Sequence, residues 1–461
     1  MTHHSSSARP TTHSRAMVVL TTLFFMWGFM TVMNDILVPH LKAVFTLNYT
    51  QSMLVQFCFF GAYFLGSLAY FLVSRSSGDP LQRMGYKRGL MAGLLLSALG
   101  SALFVPATFV HSYAAYLVAL FVLGLGFTLL QIAANPFVAI IGAPEGASSR
   151  LNLAQAFNSL GTTLAPLIGG ALIFEFFKGD AAVRWPYAFF AALLLLQALW
   201  IALTTLPEPP HVPAGTRSDA FRHPQLRRGM LAIFCYVGAE VAVGSLIISF
   251  LELESVLGLP ETAAKNFLGL YWGGAMVGRF LGALAMSDRL GAGRKAPMML
   301  VLAFALFALL GIINWISGGI EPRHLWPMGV LILSNMAVFL IAGRRPGAVL
   351  GAFALSAAVL AGVVMFSSGA WALWAVVAIG LFNSIQWSNI FTLAIDGLDD
   401  DTGQGSSLLV MMIVGGALVP PLQGALIDHF RSDQGFHFSF VLPVLCYAYL
   451  AWYGFKGAQH A

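Results

Sequence analysis

Gln131 and Asn135 stand four residues apart in one apolar run, and Gln155 and Asn158 stand three apart in the next, with Thr162 one turn further on. At these intervals side chains share one helical face. Asn383, Gln386 and Trp387 cluster in the same way late in the chain. A carboxamide both donates and accepts hydrogen bonds, as does a hydroxyl. Amide faces turned toward one space would therefore bind a ligand rich in hydroxyls. The other use of a buried amide is as a helix-to-helix bond, worth about 0.6 kcal/mol in a bilayer. Each amide taken singly fits that use; the set taken together argues for a binding surface. An indole adds an apolar face for the C–H side of a pyranose and an N–H for one of its hydroxyls. Trp27, Trp272 and Trp387 fall in apolar runs, and Trp387 is flanked by Gln386 and Asn389. Packing, or a place in an interfacial aromatic belt, is the alternative for each.

Two acids lie deep in apolar sequence. Asp35 is in the first run and Glu240 is near the middle of the seventh. A charge there is expensive, and intramembrane carboxylates mostly face the interior of a bundle and mark ion or proton pathways. Desolvation raises a carboxyl pKa toward a working range, so Asp35 is expected to take up a proton on one side and release it on the other. The alternative is a structural acid bonded to neighbouring helices. Glu240 has two readings as well: a coupling group near the midplane, or a structural partner for a base such as Arg279.

The 461 residues are 58% hydrophobic and 9% charged, where ordinary soluble domains carry about 25% charged residues. Apolar runs of about 20 residues recur along nearly the whole length, which is the signal of spanning helices and not of an outer-membrane barrel. The expected fold class is an all-α polytopic membrane protein of about fourteen spans. The first run is too long for a signal peptide and holds Asp35, so it reads as a retained span. Cys58, Cys235 and Cys446 all fall within runs, which argues against a disulfide framework or a metal site.

Basic residues crowd alternate connections, with Arg75, Arg83, Lys87 and Arg88 in one and Arg217, Arg222, Arg227 and Arg228 in another. The positive-inside rule then places both termini in the cytoplasm. A Pro-rich basic linker over 207–228 divides the chain, giving a tail over 1–15, a six-helix bundle over 16–206, a second bundle over 229–455 and a tail over 456–461. NPFVAIIG at Asn135 matches NIFTLAIDG at Asn389, and APLIGGALI at Ala165 matches VPPLQGALI at Val419 with similar spacing. Parallel repeats of this kind mark transporters whose two bundles enclose a site. On that alignment 298–343 has no counterpart and reads as an inserted two-helix hairpin. Pro136 interrupts the ladder of its helix and frees a carbonyl one turn back, which a neighbour or a cavity must satisfy.

AANPFVAIIG followed by SSRLNLAQAFNSLG resembles the fucose/glucose/galactose symporter branch of the major facilitator superfamily. MNDILVPHLKAVFTL, GYKRG, YVGAEVAVGS, YWGGAMVGRFLG, IGLFNSI, IVGGALVPPLQGAL and FVLPVLCYAYLAWYG extend the resemblance over both halves. It implies the major facilitator fold, two pseudo-symmetric six-helix bundles plus the hairpin, and a sugar–cation symporter in a bacterial inner membrane working by alternating access. Asp35 in NDILVP matches the family's proton-linked aspartate, and Asn34 beside it joins Gln131, Asn135, Gln155, Asn158, Asn383, Gln386, Trp387, Asn389 and Trp272 as expected sugar contacts. GYKRG matches a gating loop, with Lys87 and Arg88 as gate residues and the acidic DGLDDD at Asp396 as their partner or as a solvated turn. Fucose transporters carry a glutamate at the position of Gln131 and an amide at that of Glu240, which places this chain nearer the glucose/galactose side. SIQWSN at Ser384 departs from many glucose/galactose members and fits a different or larger sugar, N-acetylglucosamine being the candidate.

The expectation is a hexose importer that acts as a monomer in the lipid bilayer and is no enzyme. It needs no cofactor beyond co-transported H⁺, or Na⁺ as the alternative, and has no nucleic-acid partner. The sequence contains no Gly-Lys-Ser/Thr phosphate loop, which argues against ATP-driven transport. An exporter of apolar compounds with the same fold is a further alternative, and it would be expected to carry fewer amides.

Overall fold

The protein is described by a computed structural model covering residues 14–47, 54–207, 219–288, 290–316, 318–430 and 432–458. The side chains of Asn34 and Asp35 lie outside the described residues, although the helix that carries them is described. Helices α1 (Ser14–Val44), α2 (Leu54–Ser77), α3 (Tyr86–Val110), α4 (Tyr113–Ile140), α5 (Ala147–Gly170) and α6 (Ala181–Leu203) form the first half. The second half holds α7 (Pro224–Glu252), α8 (Glu261–Ala285), α9 (Ala292–Ile316), α10 (Trp326–Ala342) and α11 (Pro346–Phe366). Three interrupted spans complete it: α12 (Gly369–Asn383) with α13 (Gln386–Ile395), α14 (Thr402–Met411) with α15 (Gly415–Phe430), and α16 (Asp433–Ser439) with α17 (Val441–Trp452).

Among the described residues twelve helical stretches are long and apolar enough to cross a bilayer, against the expected fourteen. Helices also stand at the two other expected spans, α5, which carries Asn152, Gln155, Asn158, Ser159, Thr162 and Thr163, and the shorter α10. α10 has 17 residues, which at ~1.5 Å per residue gives ~25 Å against a hydrocarbon core of ~30 Å.

The halves repeat one packing pattern. α1 packs on α5 as α7 packs on α15; α2 on α4 as α8 on α12; α3 on α4 and α6 as α11 on α12 and α17. α9 and α10 stand outside this pattern and lie against α8. Their ends hold the end of α8: Lys295 Nζ donates to the Ala285 carbonyl at 2.5 Å, and Arg344 Nη2 to the Ser287 carbonyl at 2.6 Å. With no water in the hydrocarbon to take the last carbonyls of a helix, such basic side chains satisfy them.

Between α2 and α3 the chain turns within eight residues. Asp79 caps the short helix Pro80–Met84 by accepting from the Leu81 N–H at 2.9 Å, Pro80 stands at the first helical position, and Gly85 closes it at φ +85°. Each residue is the type that its position favours. On the far side of the bundle the first half is knitted by close backbone approach. A Cβ on Gly161 of α5 would come within 2.3 Å of the Phe25 carbonyl of α1. Gly161→Val is therefore expected to destabilise the fold by about 1–3 kcal/mol through overpacking, read as a lower thermal midpoint of the purified protein; an unchanged midpoint would mean that α1 and α5 can separate freely.

Candidate binding site between the halves

The amides of the first half divide into two uses. Asn135 Nδ2 donates to the Gln131 carbonyl at 3.0 Å, and Gln155 Nε2 reaches Asn135 Oδ1 at 3.4 Å, so α4 and α5 share one polar face. Gln131 is buried, its Oε1 has no hydrogen-bond partner in the structure, and its side chain lies against Tyr63, whose hydroxyl accepts from Trp27 Nε1 at 3.2 Å. Asn158 does something else: its Nδ2 donates to the Phe24 carbonyl at 3.0 Å, a bond between α5 and α1.

In the second half the polar groups form one connected set. Tyr236 donates to Glu240 Oε1 at 2.7 Å, and Tyr271 donates to the Glu240 carbonyl at 2.9 Å. Asn383 Nδ2 donates to the Tyr271 hydroxyl at 2.9 Å. Arg279 Nη2 lies 3.9 Å from Glu240 Oε1, with the two side chains only 12% and 11% exposed. A buried pair of this kind costs about 3–5 kcal/mol when one partner is removed. Gln386 Nε2 donates to the Phe382 carbonyl at 2.9 Å, while its Oε1 and the Trp387 Nε1 have no partner. A buried polar atom left unpaired costs about 1–3 kcal/mol, and here two of opposite hydrogen-bonding sense stand on neighbouring residues. The span that carries them is interrupted between α12 and α13, and Arg279 Nε fills the gap by donating to the Ser384 carbonyl at 3.0 Å.

Trp272 stands on α8 one turn before Met276 and two before Arg279, so the three share a face. Thr163 of α5 donates to Met276 Sδ at 3.8 Å, and Arg279 bonds Ser159 of α5. Trp272, the residue of that face farthest from the linker, is 39% exposed.

Toward the linker the halves are closed. Ser148 and Thr392 are joined at 2.8 Å, Ser149 Oγ donates to the Ala283 carbonyl at 2.6 Å, and Asn152 Nδ2 donates to Asn389 Oδ1 at 3.4 Å. Asn389 is thus a contact between the halves, one turn deeper than the unpaired atoms of Gln386 and Trp387. Pro136 leaves the Ile132 carbonyl without its helical donor, and Ser406 Oγ of α14 supplies one at 3.0 Å.

Lys87 and Arg88 of GYKRG, expected as gate residues, stand at this end. Lys87 Nζ donates to the Ala202 and Thr204 carbonyls at 2.8 Å each, tying α3 to the end of α6 in its own half, and Arg88 is exposed. The contact across is made by the turn before them. Gln82 donates to the Asp400 carbonyl, and Asp79, held by the Tyr70 hydroxyl, lies so close to α14 that a Cβ on Gly403 would come within 2.2 Å of its carboxylate. Burial pushes the Asp79 carboxyl above its ordinary range, and hydrogen bonds from Tyr70 and Leu81 pull it back. The acidic DGLDDD segment takes its partners from the linker: Asp401 pairs with His223 at 3.3 Å and Arg222 at 3.6 Å. Arg279 pairs with Glu240 as one of its two readings had it; Tyr63, Tyr236, Tyr271 and Ser159 were not among the expected site residues, and of these only Tyr236, at i, i+4 from Glu240, had a usable local signal.

The Major Facilitator Superfamily profile matches residues 18–343. The chain belongs to the major facilitator superfamily. It is 42% identical to a glucose/galactose transporter of Brucella abortus, over 99% of this chain and 97% of that one, and 31% identical to the L-fucose-proton symporter of Escherichia coli, over 93% and 90%. The crystal structure of FucP in the outward conformation superposes with a TM-score of 0.75 at 29% identity, covering 96% of this chain and 99% of that one. The proteins it resembles are transporters and not enzymes, and it shares their fold of two helical halves.

Lys87→Met is expected to lower the thermal midpoint while leaving the linker end closed, whereas Asp79→Ala should open it. Labelling of a cysteine placed at Gln404 by a water-soluble maleimide reads the difference, about tenfold faster with Asp79→Ala for the loss of a hydrogen bond to a charged group. Faster labelling with Lys87→Met instead would return the gate to the basic residues.

Proposed function

We propose that the protein imports a hexose of the glucose/galactose type by proton symport, with the sugar held near the midplane between the halves and access alternating around it. The observations that carry this reading are the Gln131–Asn135–Gln155 amide face of the first half and the unpaired buried atoms Gln386 Oε1 and Trp387 Nε1 of the second. Hydroxyls satisfy both senses of hydrogen bond, and the indole of Trp387 offers an apolar face to a pyranose. The names of the relatives, glucose/galactose transporter and L-fucose-proton symporter, favour a neutral monosaccharide.

Asp35 is the coupling residue in this reading. It stands on α1, which packs on the amide-bearing α5, and a carboxyl in the hydrocarbon is affordable only where it can be protonated or paired. With its linker end toward the cytoplasm, as the distribution of basic residues favours, the state described is closed on the cytoplasmic side, and protonation and sugar binding come first from the outside. Both termini are then cytoplasmic, and the working unit is a monomer.

Titration calorimetry on the purified protein with glucose, galactose, N-acetylglucosamine and fucose tests the site. Gln386→Ala and Trp387→Phe should each weaken the preferred hexose about tenfold, the loss of one hydrogen bond; undiminished affinity in both would remove them from the site. Asp35→Asn should retain sugar exchange across vesicles and lose accumulation, and full accumulation by that variant would take Asp35 out of the coupling.

A further inference from the structure

We infer that Arg279 is a latch between the halves, with Ser159 as its keeper on the opposite side. The inference rests on the reading of the chain as an alternating-access transporter but not on the identity of its substrate.

The guanidinium is held from within its own half. Nε donates to the Ser384 carbonyl at 3.0 Å, and Nη2 lies 3.5 Å from the Tyr236 hydroxyl and 3.9 Å from Glu240 Oε1. The fork is planar and rigid, so these contacts fix where the remaining nitrogen points before any partner arrives. Nη1 crosses the boundary to Ser159 Oγ of α5. On the linker side of this bond the halves are joined at Asn152 and Asn389, at Ser148 and Thr392, and at Ser149 and Ala283. On the other side there is the long Thr163–Met276 contact and then exposed Trp272. Among the described residues the Arg279–Ser159 bond is thus the N–H···O bond between the halves that lies farthest from the linker.

The choice of residue types fits a bond that must open repeatedly. The charge of Arg279 is compensated inside its half by Glu240, so separation of the halves strands no unpaired ion in a region without water. Across the boundary the partner is a neutral hydroxyl. An acid at that place would create an ion pair between the halves, and parting it would leave two uncompensated buried charges. A serine gives a bond strong enough to favour the closed linker end and weak enough to yield. Arg279 is in this sense a positioning residue: it acts on which end is open, through Ser159, and it need not touch the substrate.

Hydrogen–deuterium exchange of the full-length protein in lipid nanodiscs, without sugar, tests this. Ser159→Ala removes the keeper and leaves the Arg279–Glu240 pair intact. Exchange in peptides over 147–155 and 399–411 should rise about tenfold, as expected for loss of a hydrogen bond to a charged group, while peptides over 292–342 stay unchanged. Ser159→Thr, which keeps a hydroxyl, should restore the wild-type rate. Arg279→Lys added to Ser159→Ala should produce no further rise at those peptides. Unchanged exchange over 147–155 and 399–411 in Ser159→Ala, or a rise confined to α7 and α8, would overturn the latch and leave Arg279 a structural residue of the second half. Because no sugar is present, failure of the hexose reading would not alter either result.

Discussion

A guanidinium in the middle of a bilayer must find its acceptors in the protein, and this requirement organises the centre of the molecule. Arg279 takes them from three places: the carbonyl exposed by the break between α12 and α13, the Glu240–Tyr236 pair on α7, and Ser159 on α5. The interruption of the span is tolerable because Arg279 satisfies it, and Glu240 is tolerable because Arg279 and Tyr236 flank it. Removing any one leaves another buried group unpaired. The polar centre is for that reason a unit, and the residues with unpaired atoms, Gln386 and Trp387, follow directly on the break that Arg279 supports.

The two ends of the boundary between the halves are built differently. At the linker end small side chains bond directly to backbone across the boundary, as Ser149 does to Ala283 and Ser406 to Ile132. These are short neutral bonds that form only when the helices touch, which suits a seal that opens. At that end Lys87 also bonds the last carbonyls of α6, and Asp401 pairs with His223 and Arg222 of the linker.

Much of this was legible in the sequence. Hydropathy and the distribution of basic residues give the spans and a linker between two halves, and the repeat of the Asn135 and Asn389 segments pairs α4 with α12–α13. The amide face of α4 and α5 follows from spacing alone. What spacing could not reveal is partnership between distant elements. Asn158 has the same spacing as the other amides, but the close approach of α1 turns it to the Phe24 carbonyl. Asn389 faces Asn152 because the linker end is closed. Lys87 and Arg88 fit a gate by type, and the turn just before them brings Asp79 and Gln82 against the other half. Helices stand at all fourteen expected places, the one at α10 shorter than the bilayer core.

The central claim is that sugar bound between the halves is moved by the proton gradient. The most direct test is uptake of labelled glucose into proteoliposomes bearing an inward proton gradient, with sodium absent, and with unlabelled galactose as competitor. The account predicts accumulation above the external concentration, abolished by collapsing the gradient and reduced by galactose. Equilibration without accumulation, or accumulation that requires sodium, would contradict it.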